Sequence, residues 1–222
     1  MTASAAYSGG LPRPQSMGEE LVNAVTHGVG ALLGAAGLVL LLSRTIHHGG
    51  GGRSIAGDIV FGVSMILLYL ISCMYHALPR SKVKNVFQVL DHCTIFILIS
   101  GTYAPICLVK VPGKLGVGVF AVNLSCAVLG IVLNAIDLKR WKKLSLALYI
   151  IMGWMAVIVL PVILRTLSPL GFILLLAGGV AYTVGVIFYR KKEKRYWHGI
   201  WHCFELAWTI LQFFTVYTNC CY

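Results

Sequence analysis

His198 and His202 stand four residues apart in the stretch Trp197–Phe204, WHGIWHCF. On a helix that spacing sets one imidazole above the other, so both can point at one ion. Ser72 and His76 repeat the spacing in SCMYH. Three neutral imidazoles plus a water can make a catalytic zinc site with an open fourth position. Asp91 and Ser72 would stand just outside such a ligand set, or hold and deprotonate the water. A helical H-x-x-x-H alone is weaker evidence than H-E-x-x-H. The elements that carry these residues must therefore decide.

Those elements are membrane spans. The chain has 222 residues, 58% of them hydrophobic and only 11% charged, against about a quarter charged in a soluble domain. A hydrocarbon core of about 30 Å needs roughly 20 apolar residues per crossing. Seven runs meet that need: Leu21–Ser43, Ile55–Leu78, Val86–Val109, Leu115–Ile136, Leu144–Leu164, Leu170–Tyr189 and Tyr196–Asn219. The expected fold is thus an all-α integral membrane protein, a seven-transmembrane-helix bundle. Residues 1–18, rich in Ser, Ala, Gly and Pro, are expected to form a disordered N-terminal tail, and 19–222 the membrane domain. The tail has no apolar h-region, so the first helix is expected to stay as an uncleaved anchor.

The net charge of +11 is a topology signal and gives no reason to expect nucleic acid. Of the 18 Lys and Arg, 13 fall on the N-terminal tail and the second, fourth and sixth loops. The positive-inside rule then puts the N-terminus in the cytoplasm and the C-terminus outside. A cell-membrane location and contact with membrane lipids follow. The seven cysteines show no C-x-x-C spacing. Those inside spans read as small hydrophobes, and Cys220 and Cys221 could oxidise or carry a lipid at the outer end.

A charged side chain at a helix centre in a membrane costs ~2.5–3.5 kcal/mol, so such residues tend to be functional. With this topology, Glu20, Asn23 and His27 share one face in the first turns of helix one. His76 falls near the inner end of helix two. Asp91 and His92 lie about a turn and a half into helix three, and His198 and His202 begin helix seven. At ~1.5 Å per residue all sit within roughly 10 Å of the cytoplasmic boundary. Four helices thus send polar groups to the same end, which scatter would not do.

Plainer readings stand beside this one. His27 or His92, taken singly, fits a hydrogen bond between helices. His47 and His48, beside Gly49–Gly52, read as solvated, and Asp58 as interfacial. Glu205, three residues after His202 on the same face, is either a neighbour of the ligands or hydrogen-bonded within the bundle.

The chain resembles the hemolysin III proteins, the bacterial branch of the progestin and adipoQ receptor family, which includes the adiponectin receptors. The matching pieces are ELVNAVTHG at Glu20–Gly28, SCMYH at Ser72–His76, LDHCTIFILISGTYAP at Leu90–Pro105 and WHGIWHCF at Trp197–Phe204. They run in order from the first helix to the last. The resemblance implies seven helices with the N-terminus inside, in agreement with the charge count. It implies zinc on His76, His198 and His202, with Asp91 contacting a water at the metal and Ser72 nearby. The wider superfamily includes alkaline ceramidases, which points to hydrolysis of lipid amides. Two positions depart from the bacterial pattern: Glu205 stands where an aliphatic residue is usual, and Gln212 where a histidine often is.

Three functions compete. A zinc-dependent hydrolase would act on an amide or ester of a membrane lipid, with Asp91 orienting the water or taking its proton. A non-enzymatic, receptor-like or membrane-homeostasis protein would use the metal structurally. A pore, cytolysin or transporter would fit the family name, but transporter sites lie near the midplane and this cluster is off-centre. A retinal protein needs a lysine in the last helix, and no lysine follows Lys194.

Overall fold

The computed structural model describes residues 15–191 and 193–220, and every regular element among them is helical. Helix α1, Met17–His47, starts at a capping box. The Ser16 hydroxyl accepts from the Glu19 N–H, and the Glu19 carboxylate accepts from the Ser16 N–H, which satisfies donors that a helix start leaves open. Most of the expected tail lies outside the described residues, but Met17 and Gly18 already belong to α1. Helix α2 is Gly52–Ala77, and α3 is Lys82–Pro105, capped by the Ser81 hydroxyl. Pro105 has no N–H to donate back into α3, and the chain widens into a π-helical turn at Ile106–Lys110.

Helix α4, Gly113–Trp154, is two arms joined at Asp137, whose φ of −160° and ψ of 95° are not helical. The expected connection there spanned 137–143, yet the chain is helical again at once. The Asp137 carboxylate accepts from the N–H groups of Lys139 and Arg140, each at 3.0 Å, and so caps the second arm. A 3-10 turn, Met155–Val159, and the short helix α5, Leu160–Thr166, follow. Tyr103 causes part of that irregularity. Its hydroxyl donates to the Gly153 carbonyl (3.1 Å) and accepts from the Ala156 N–H (2.8 Å), standing inside the helical ladder. Helices α6, Pro169–Arg190, and α7, Trp197–Asn219, complete the chain.

Among the described residues, five helical stretches are long and apolar enough to cross a membrane: Met17–His47, Gly52–Ala77, Lys82–Lys110, Gly113–Thr166 and Pro169–Arg190. The protein is therefore an integral, multi-pass membrane protein. The fourth stretch has 54 residues, roughly 80 Å at ~1.5 Å per residue. That is more than twice the hydrocarbon core, and the break at Asp137 divides it. Helix α7 misses the mean hydropathy of the others because polar groups such as His198, His202, Glu205, Thr209, Gln212 and Thr215 line its inner face. A mean over a helix does not distinguish an inward polar stripe from a soluble surface.

The outer residues of α1, among them Leu21, Val25, Leu32 and Val39, are exposed as lipid-facing residues should be, while Asn23, His27, Gly30, Gly34 and Leu41 turn inward. Helix α1 packs on α2 and α7, and α7 packs on α6, while α3 lies between α2 and α4. From Asp91 to Pro105 α3 is buried almost throughout, with Phe96, Leu98 and Ile99 in the core beside Phe61 and Met152. Asp58 is 1% exposed and accepts a 2.5 Å hydrogen bond from Thr45, so it is a buried partner of α1. His47 and His48 are exposed as expected. Cys220 is buried, and Cys221 lies outside the described residues.

Candidate metal centre

The chain end of α2 and the chain start of α7 meet beside the first turns of α1. Two acidic residues of α1 make that junction. Glu19 accepts from the Tyr196 N–H at 2.8 Å, directly before α7 begins. Tyr196 itself has a φ of 62°, a left-handed conformation uncommon outside glycine. The turn is thus held from α1. Glu20 points elsewhere: its Oε2 lies 2.7 Å from His76 Nδ1, and its Oε1 accepts from Lys84 Nζ at 2.8 Å. Lys84 also donates to the Leu78 carbonyl, which ties the α2–α3 turn to the same carboxylate.

Donor atoms of His76, His198 and His202 all lie within 4.8 Å of one another. Their ring centroids are 5.2 Å apart for His76 and His198, 5.0 Å for His76 and His202, and 4.5 Å for His198 and His202. The three are 3%, 7% and 2% exposed, so water does not compete for them freely. A tetrahedral zinc with bonds of ~2.0–2.1 Å needs donors about 3.4 Å apart, a contraction that small side-chain rotations supply. The tautomer suits it as well. With Nδ1 facing the Glu20 carboxylate, His76 keeps its proton there and leaves Nε2 bare. His76 Nε2 is buried with no hydrogen-bond partner among the described residues, and so is His202 Nδ1. Buried polar atoms are rarely left unpaired without a reason. The three imidazoles therefore fit a metal ion.

The other expected site residues are placed less closely. Ser72 lies one turn before His76 on α2, fully buried, its hydroxyl without a partner among the described residues. Asp91 is buried on α3, and its carboxylate is 3.6 Å from His92 Nδ1. It belongs to neither close grouping of metal-capable side chains among the described residues. His92 turns back along its own helix, with Nδ1 2.9 Å from the Gln88 carbonyl.

A second grouping was not foreseen. His27 stacks on His202, with ring centroids 3.6 Å apart and planes 15° from parallel. Donor atoms of His27, His202 and Glu205 also lie within 4.8 Å of one another. The edge of His27 meets the Tyr69 ring at 5.1 Å. Tyr69 lies against α1 because residue 30 is glycine: a Cβ there would come within 2.6 Å of the Tyr69 ring. In the sequence this set is signalled by the spacing of His202 and Glu205 on one face and by the placement of His27 at the same end of the bundle.

A family model described as Haemolysin-III related matches residues 15–213. Hemolysin-3 of Bacillus cereus is 40% identical over 202 residues, which cover 91% of this chain and 92% of that protein. Hemolysin-3 homolog of Bacillus subtilis (strain 168) is likewise 40% identical over 202 residues, covering 91% of this chain and 94% of that protein.

Proposed function

This chain belongs to the haemolysin-III-related family, and from that premise we propose that it is a zinc-dependent hydrolase of membrane-lipid amides or esters. The observation that carries the proposal is the convergence of His76, His198 and His202, buried and within 4.8 Å of one another. These three imidazoles would hold a zinc ion and leave room for a fourth ligand, as catalytic zinc requires. A zinc ion held there would polarise a carbonyl oxygen and acidify an attacking water.

The rest is the work of the chain. Glu20 holds His76 in the tautomer that presents Nε2. Ser72 offers a buried hydroxyl next to the ligands. Asp91 orients the attacking water or takes its proton. The bilayer delivers the apolar substrate sideways, so membrane lipids are the partners. Purified protein should carry about one zinc per chain and cleave members of a lipid-amide and ester panel. Stripping with a chelator should stop cleavage and added zinc should restore it. Zinc-loaded protein that cleaves nothing in the panel would overturn the hydrolase.

Asp91 lies outside the close groupings, and this favours a second reading in which the metal is a structural tie between α2 and α7. The name of the Bacillus cereus relative, Hemolysin-3, suggests a pore. The packed core of Phe61, Phe96, Leu98 and Ile99 gives that reading little support.

Glu20 offers a test of the centre itself. Glu20→Ala should weaken zinc binding about 10–100-fold, the scale for losing a group that orients a ligand, in a competition against a chromophoric chelator. Lys84→Ala, one contact further out, should cost less. Equal affinity in Glu20→Ala and the native protein would mean that Glu20 does not hold His76 for the metal.

We place seven spans in the membrane, by dividing Gly113–Thr166 at Asp137 and adding α7, with the N-terminus in the cytoplasm of a cell-membrane protein. Alkaline phosphatase fused after Tyr222 should then be active, and a fluorescent protein fused there dark. The reverse pattern would invert the topology and move the centre to the outer face.

A further inference from the structure

Two turns at the end of the bundle that holds the histidines are crowded with cations. The elbow of α4 carries Lys139, Arg140, Lys142 and Lys143. The turn from α6 to α7 carries Arg190, Lys191, Lys194 and Arg195. All of these side chains are exposed. The second arm of α4 runs antiparallel to α6, and this brings the two turns together. Trp154 Nε1 donates to Thr183 Oγ1 at 3.1 Å, and the Tyr182 ring lies beside Gly153. Further along the same boundary, Tyr149 stands within electrostatic range of Tyr189. Continuing that register by about two turns sets Lys142 and Lys143 beside residues 190–195.

Little acid offsets these charges. Asp137 spends its carboxylate on the N–H groups of Lys139 and Arg140, and Glu193 is the other acid in the two turns. Aromatic rings flank the cations instead. Arg140 lies over the Trp141 ring at 5.1 Å, Lys194 over Trp197 at 4.6 Å and Arg195 over Tyr196 at 5.4 Å. Tryptophan and tyrosine settle at the headgroup level of a bilayer, so the rings set these charges where phosphates lie. The positive-inside rule asks only for basic residues on one side of the membrane. It does not ask that two turns gather them into one corner.

We propose that the α4 elbow and the α6–α7 turn form one binding surface for the headgroups of anionic membrane lipids. Charge complementarity selects the occupant, as it does for other basic clusters between membrane helices. A zwitterionic headgroup fits less well, because its own ammonium cancels the phosphate. The lysine and arginine stems lie along the apolar boundary and lift their charged ends to the headgroups. The surface shares no residue with His76, His198 or His202, so it stands apart from the zinc reading.

The test equilibrates the full chain in mixed micelles holding equal phosphatidylglycerol and phosphatidylcholine. The protein is recovered on an affinity resin, and the retained lipids are counted by mass spectrometry. The native chain should retain phosphatidylglycerol with a preference of about fivefold or more. Lys143→Gln/Lys194→Gln should lower that preference to about twofold or less. Arg80→Gln/Lys82→Gln, exposed on the separate α2–α3 turn, removes as many cations and should keep it. Equal retention of the two lipids by the native chain would overturn the surface. So would an equal loss in the two variants, which would make the charge a diffuse property of the whole end. Displacement of the lipid by excess inorganic phosphate would show a free-phosphate site and overturn the lipid occupant. Where Lys143→Gln/Lys194→Gln fails to insert, salt decides on the native chain. Near 1 M, where charges are screened beyond about 3 Å, the preference should vanish, and a preference unchanged by salt would overturn the surface.

Discussion

Replacing His202 by alanine is expected to remove bound zinc from the purified protein almost completely. His202 is 2% exposed and takes part in both groupings of donor atoms, so its loss leaves no set of three intact. His76→Ala and His198→Ala should each lose most of the zinc. Losing an orienting contact already costs about 10–100-fold in affinity, and losing a ligand should cost more than that. His92→Ala and His47→Ala are the controls. His92 Nδ1 is directed at the Gln88 carbonyl, and His47 is exposed at the far end of α1. Elemental analysis after gel filtration reads all five variants. If the ligand and control variants lost zinc equally, the assignment of the centre would be wrong.

Asp91→Asn is expected to keep zinc and lose at least ~100-fold in hydrolysis, the scale of removing a general base. The change preserves the shape of the side chain and removes its charge and basicity. Asp91 is buried on α3 and lies outside the close groupings, so the metal should remain when it changes. Folding should be unaffected, since the contact made through its backbone, Thr94 Oγ1 to the Asp91 carbonyl, does not involve the carboxylate. Three outcomes separate the readings. Retained zinc with lost activity supports a catalytic metal. Retained zinc with full function supports a structural tie between α2 and α7. Zinc lost as fully as in His202→Ala would make Asp91 a ligand.

Much of this architecture is legible in the sequence because lipid enforces simple rules. Each expected apolar run lies on a helical stretch, and even α7 could be recognised despite its polar stripe. The convergence of His76, His198 and His202 follows from knowing which end of each span is which. The junction at Asp137 falls within the expected connection but is shorter than it, for a physical reason. Lys139, Arg140, Lys142 and Lys143 look like a polar loop, but they are good helix formers and a capping carboxylate precedes them. The pairing of His27 with His202 was out of reach. It depends on how far α1 is rotated against α7, which spacing within either helix does not fix. Glu19 and Glu20 show the same limit. Adjacent residues point about 100° apart on a helix, and the structure sends one to Tyr196 and the other to His76.

The clasp between Glu19 and Tyr196 joins residues 177 positions apart, and this sets an order on biosynthesis. Glu20, His27 and His76 enter the bilayer with the first two helices, whereas His198, His202 and Glu205 arrive with the last. At ~5–20 residues per second, roughly 120 residues of synthesis separate His76 from His198, so the first helices wait about 6 to 24 seconds with an incomplete site. During that interval buried polar groups of α1 and α2 face lipid without their partners from α7. A metal held by His76, His198 and His202 could load only after that final helix is inserted, because two of the three imidazoles belong to it.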